Sequence, residues 1–181
     1  GDHGPPYFIS YQVKDYDRRE IAARFGALFQ KGARRDRQIY VEVRVGSYEL
    51  DNSADQGMDF SFSNKGNSYI TQKSAPLDDD PLALRTALWL ITDEKYKAAL
   101  FDYLKKKGEN VYTVEDPKRP HSFSREKPNV YIQPPVPFSF DEDRWTKLAR
   151  GLSATFNAHP EIFDSEVRGG ADKIVRYFVS T

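Results

Sequence analysis

Between residues 19 and 29 the chain alternates: Ile21, Ala23, Phe25, Ala27 and Phe29 fall on one parity, and Glu20, Arg24 and Gln30 on the other. Successive side chains of a strand point to opposite faces, so this pattern calls for a strand with one buried face. Residues 39–45 repeat it, with Ile39, Val41, Val43 and Val45 set against Tyr40, Glu42 and Arg44. Residues 7–13, rich in aromatic and β-branched side chains, read as a third strand. Asp15, Tyr16 and Asp17 mark a turn, and polar residues 31–36 a connection, so the economical expectation is an N-terminal three-stranded meander. Gly26 would then mark a bulge or a close backbone approach.

Helical signals follow. Asp80 can cap the free amides of a helix that begins at Pro81, a residue preset for the first helical position. Leu84, Ala87, Leu88 and Ile91 form one stripe, and Tyr96, Ala99, Leu100, Tyr103 and Leu104 a second displaced by one residue, so the helix is wide-faced or bent near Thr92. Lys105, Lys106 and Lys107 suit the negative end of its dipole, and Gly108 suits a left-handed exit. Ser139 and Glu142 have capping-box spacing ahead of a second stripe, Trp145, Leu148, Ala149, Leu152 and Phe156, which Asn157, His159 and Pro160 end. Prolines at 117, 120, 128, 134, 135 and 137 make residues 114–137 an extended connection. Residues 51–73 read as a surface excursion with a short strand near 59–63, and the tail from 162 reads as a hairpin turning at Gly169, Gly170, Ala171 and Asp172. The expected fold is α+β: an antiparallel or mixed sheet, built from the meander and the C-terminal hairpin, packed with two main helices. It forms a single domain over residues 1–181, with the proline-rich connection inside it.

Composition narrows function more than it reveals it. Lysine plus arginine equals aspartate plus glutamate at 27 each, so no net field selects nucleic acid or an acidic membrane. There is no cysteine, which excludes disulfides, zinc-thiolate sites and a cysteine nucleophile within the chain. No apolar run of about 18 residues is present to span a bilayer as a helix. The absent starting methionine suggests a trimmed beginning, and with the lack of cysteine leans toward an exported, periplasmic bacterial setting over a cytoplasmic one.

Each candidate centre has a plainer explanation. His3, His121 and His159 lack metal-ligand spacing to one another. Asp78, Asp79 and Asp80 could hold a hard cation, but the helix-cap role fits Pro81 better. Asp51, Ser53, Asp55 and Asp59 resemble the start of a calcium loop, yet glycine arrives one place late at Gly57, and Phe62 stands where a bidentate glutamate is needed. Arg34, Arg35 and Arg37 could hold phosphate, but Asp36 sits among them, and a solvated loop is the simpler account. The serines lack a nucleophile-elbow pattern, and Gly169 with Gly170 lacks the lysine of a phosphate loop. No catalytic, cofactor-binding or metal-ligating residue is assigned.

Several segments resemble a known family: PYFISYQV at residues 6–13, RFGAL at 24–28, VEVRVGSYELDNS at 41–53, LDDDPLALRTALWLITDEKYKAAL at 77–100 and VRYFVST at 175–181. Together they resemble the amino-terminal domain of TldD/PmbA-family metallopeptidase-like proteins, once named modulators of DNA gyrase, in a divergent bacterial branch. The resemblance implies a non-catalytic domain that helps enclose a substrate channel and a dimer interface. The zinc centre would then lie in a carboxy-terminal domain, on a helix with a histidine-glutamate-histidine motif and a later cysteine ligand, none of which matches here. The implied partners are that downstream domain, a homo- or heterodimeric family member and an unfolded peptide substrate, with no membrane. The chain is accordingly expected to be an excised domain. An independent protein-binding module is the alternative, and nucleic-acid binding a weaker third.

Overall fold

The computed structural model describes residues 5–53, 70–110, 121–134 and 136–181. The α+β class holds: a four-stranded sheet is accompanied by two α-helices. The strands are β1 (Phe8–Arg24), β2 (Ala27–Arg44), β3 (Ile70–Ser74) and β4 (Val167–Ser180), in the order β3-β2-β1-β4. The helices are α1 (Pro81–Asn110) and α2 (Glu142–Ala154), with a 3-10 turn at Thr155–Ala158. The short strand expected near 59–63 lies outside the described residues.

The partition into strands differs from expectation. Asp15, Tyr16 and Asp17 do not turn the chain, and residues 31–36 do not leave the sheet; both stretches continue long strands. Polarity suggested loops, but Asp15 is matched across the hairpin by Arg37, with bonds of 2.6 and 3.0 Å, and Asp17 pairs with Arg19. The reversal occurs at Phe25 and Gly26, both at positive φ (46° and 83°), so Gly26 is a turn residue and not a bulge. Positive φ at both central positions matches the twist of a two-residue hairpin, although Phe-Gly lacks the usual asparagine or aspartate signal. The third strand of the meander is therefore β3, drawn from the end of the expected excursion and paired antiparallel to β2 from Gln38↔Ser74 to Glu42↔Ile70.

The expected C-terminal hairpin is also one strand. Gly169 and Gly170 lie inside β4 because they admit close neighbours: a Cβ on Gly169 would stand 3.0 Å from the Trp145 ring, and one on Gly170 2.5 Å from the Arg19 carbonyl oxygen.

Contacts group the chain into two compact units. Unit 1 is Gly1–Val13, Gln38–Ile132 and Tyr177–Thr181; unit 2 is Lys14–Arg37 and Gln133–Arg176. In unit 1, Ile39, Val41, Val43 and Val45 bury the odd-numbered face of β2 against Ile91 and Ala99 of α1. Each such side chain contributes about 1.5–3 kcal/mol relative to exposure. Both stripes of α1 reach this one core through Leu84, Ala87, Leu88, Tyr96, Leu100 and Tyr103, which makes α1 a wide-faced helix. Its start is as read, with the Leu82 amide donating to Asp80 at 2.9 Å. Its end is not: the helix runs through Gly108 to Asn110, since glycine permits a left-handed exit without requiring one.

Unit 2 has a smaller core of Ile21, Ala23 and Ala149, flanked by Phe140 and Val167. The cap of α2 is Asp141, whose carboxylate accepts from the Arg144 amide at 2.9 Å, in place of the expected Ser139. Asp141 stands directly before the first turn, and its charge adds a favourable interaction with the helix dipole.

Candidate functional site

The most concentrated polar chemistry in unit 1 forms where β2 ends. Gly46 adopts φ 113° and bridges to Asp51, while the Ser47 amide donates to the Leu50 carbonyl at 2.9 Å. A side chain at Gly46 would meet the Leu50 carbonyl oxygen at 2.4 Å, so only glycine closes this turn without displacement. The turn carries Asp51 inward until it is fully buried.

Three residues then converge on the Asp51 carboxylate. The Tyr7 hydroxyl donates to Oδ2 at 2.7 Å, Arg44 Nη1 donates to the same oxygen at 2.8 Å, and the Ser53 amide donates to Oδ1 at 2.8 Å. Arg44 also holds Glu42 at 2.7 Å. Its side chain is 11% exposed, and its guanidinium lies 4.0 Å from the centre of the Phe123 ring. Phe123 packs against Phe8 and Tyr48, and its amide donates to the Tyr48 carbonyl at 3.1 Å. Ser122 Oγ accepts from the Asp51 amide at 3.3 Å. Asn52, buried beside it, accepts the Val45 amide at 2.8 Å.

The electrostatics follow from this saturation. Burial pushes the Asp51 carboxyl up, but hydrogen bonds from Ser53, Tyr7 and Arg44 outweigh it and hold the group below the usual carboxylate range. Burial, then the bond to Asp51, pushes the Tyr7 hydroxyl far above the usual tyrosine value. An ionised acid with its lone pairs occupied makes a poor base, and a phenol held protonated makes a poor nucleophile. The cluster acts as a clasp that fastens residues 121–123 to the turn after β2.

The residues singled out by sequence are dispersed. Asp51 and Ser53 belong to the clasp, so they are not free to open a calcium loop; Asp55 and Asp59 lie outside the described residues, as does His3. His121 is exposed, and His159 Nδ1 lies 3.1 Å from Glu161 Oε1 at the surface. Asp80 caps α1, and Arg37 is buried against Asp15 while Arg34 and Arg35 are exposed, so the arginine cluster is divided. Among the described residues no group of three or more histidine, aspartate or glutamate side chains could hold a metal ion.

Sequence reasoning passed over Tyr7, Arg44 and Lys95. Arg44 carried a signal, because it ends an alternating strand beside a turn. Lys95 is buried in α1, where desolvation pushes its ammonium below the usual lysine value. Nothing in its local pattern announced that.

No protein-family profile matches the sequence, and no curated protein is similar to it. Among solved structures, the chain is similar to the crystal structure of TldE from Thermococcus kodakarensis, with a TM-score of 0.47 and 13% identity over 97% of this chain. It spans 32% of that chain's length.

Proposed function

We propose that this chain is the non-catalytic amino-terminal domain of a TldD/PmbA-like metallopeptidase-type protein, helping to enclose a channel for an unfolded peptide and to form a dimer interface. The observation that carries the reading is the Asp51 clasp: its charged and hydroxyl groups, Tyr7, Arg44 and Asp51, are bound to one another and to the backbone in a way that serves folding and not turnover. The segments that resemble this family support it further, as does the surplus of exposed apolar side chains in unit 1, including Trp89, Phe101, Tyr131 and Phe178. In this reading zinc and the catalytic groups are supplied by a downstream domain. The test compares cleavage of an unfolded peptide, with zinc added, by this chain alone and by a longer protein that includes the downstream region. Activity confined to the longer protein is expected, and metal-dependent cleavage by this chain alone would overturn the proposal.

A second reading, an independent protein-binding module, is favoured by the exposed apolar strand residues Tyr177, Phe178 and Val179. A pull-down distinguishes the two: a partner that binds this chain but not the longer protein supports the module.

A further inference from the structure

Unit 2 holds a surplus of positive charge, 14 lysines and arginines against 11 aspartates and glutamates, in a chain that is neutral as a whole. Around α2 the acids are already engaged. Asp141 caps the helix, Glu142 pairs with Lys31, and Asp143 stands in the first turn, where the helix dipole favours a carboxylate. Beyond that turn α2 carries no acid, only Arg144, Lys147 and Arg150. Arg150 is tied to the hairpin turn, donating to the Gly26 carbonyl at 3.0 Å. Arg144 and Lys147 are exposed, and neither has an ion-pair partner among the described residues.

These two cations share a face with Leu148, Gly151 and Leu152, at the i, i+3, i+4, i+7, i+8 spacing of one side of a helix. The other side, with Ala149 and Ser153, is the buried one. Leu148 and Leu152 are 47% and 49% exposed. Gly151, in the interior of α2, weakens the helix relative to alanine. Gly26, Gly169 and Gly170 each have a close neighbour where a Cβ would stand, whereas Gly151 has none within 4 Å among the described residues. Its missing side chain leaves a notch between the two leucines, open to a group that approaches from outside.

We propose that this face of α2 docks an acidic segment of a protein partner, which sets carboxylates against Arg144 and Lys147 and an apolar side chain into the notch at Gly151 between Leu148 and Leu152. Charge selects the partner, because two unpaired cations beside an apolar notch favour carboxylates and reject a basic segment. The leucines gain nothing against the phosphates of a nucleic acid. The rest of the apolar side of α2 is committed to the core of unit 2, which leaves too little to enter a bilayer. Docking here is independent of the non-catalytic assignment: peptide hydrolysis would overturn that assignment alone, and failure of docking would leave it intact.

Fluorescence anisotropy of a labelled peptide built only of glutamate and leucine, titrated with the intact chain, tests it. Micromolar binding is expected, weakening as salt rises, with the same-length lysine-and-leucine peptide bound at least tenfold more weakly. An Arg144→Glu, Lys147→Glu double variant should lose at least tenfold in affinity while retaining the circular dichroism of the parent. A Gly151→Leu variant separates docking from folding: it should melt at or above the temperature of the parent, because the space is open and leucine favours a helix, yet bind at least tenfold more weakly because the notch is filled. No binding of the acidic peptide, equal binding of the basic one, affinity undiminished in either variant, or tighter association with phosphatidylglycerol vesicles or duplex DNA than with the acidic peptide would overturn the proposal.

Discussion

Asp51 shows how one residue can look like chemistry and serve folding. Asp51→Ala leaves Arg44 still held by Glu42 but strips Tyr7 and the Ser53 amide of their acceptor, which should cost about 2–4 kcal/mol. Tyr7→Phe removes one hydrogen bond and should cost about 1–2 kcal/mol. Urea unfolding of the two variants beside the parent checks the order. The same residues make stability depend on pH. A carboxyl whose folded pKa lies below its unfolded value, about 3.9, stabilises above that value and loses the contribution as pH falls through the folded pKa. Stability should therefore fall below about pH 4, and less steeply in Asp51→Asn. Tyr7 has the opposite sense: its raised folded value means the contribution is present below about pH 10 and is lost as pH rises beyond it. Alkaline unfolding followed by circular dichroism should accordingly be displaced to higher pH in Tyr7→Phe, relative to that variant's own stability at neutrality.

At the scale of elements, glycines separate the expectations from the structure. Gly108 lies in α1 with open space where a Cβ would stand, so Gly108→Ala should raise stability by about 0.5–1 kcal/mol; a left-handed exit at that position would make the same change destabilising. Gly170→Ala should destabilise, because its Cβ would meet the Arg19 carbonyl oxygen at 2.5 Å. Thermal melts of both variants check the signs. Where hydrophobic periodicity decided an element, the sequence was readable: the odd face of β2 and both stripes of α1, except Leu104 at the end of the second, lie in the observed core of unit 1. Where an element depended on distant partners, it was not. Arg37 keeps Asp15 in a strand, and the Trp145 ring fills the space beside Gly169 in β4; neither relation is visible in a local window. The clasp was opaque for the same reason, since Tyr7, the pair Arg44 and Asp51, and Phe123 are far apart in sequence and meet only through the fold.

For the whole molecule, charge balance and the lack of cysteine already narrow the functional classes at the level of composition. In the fold, the ionisable groups Asp80, Arg37 and Asp51 are engaged in capping, cross-strand pairing and the clasp. Outward, the described residues present exposed apolar side chains such as Trp89, Phe101 and Phe178 among exposed charges such as Arg18, Lys97 and Asp172. The most direct measurement is hydrolysis of an unfolded peptide by the purified chain, with zinc in excess and with a chelator. The non-catalytic assignment predicts the same background rate in both conditions. Zinc-dependent hydrolysis that the chelator abolishes, and that copurifies with the chain through repeated chromatography, would contradict it.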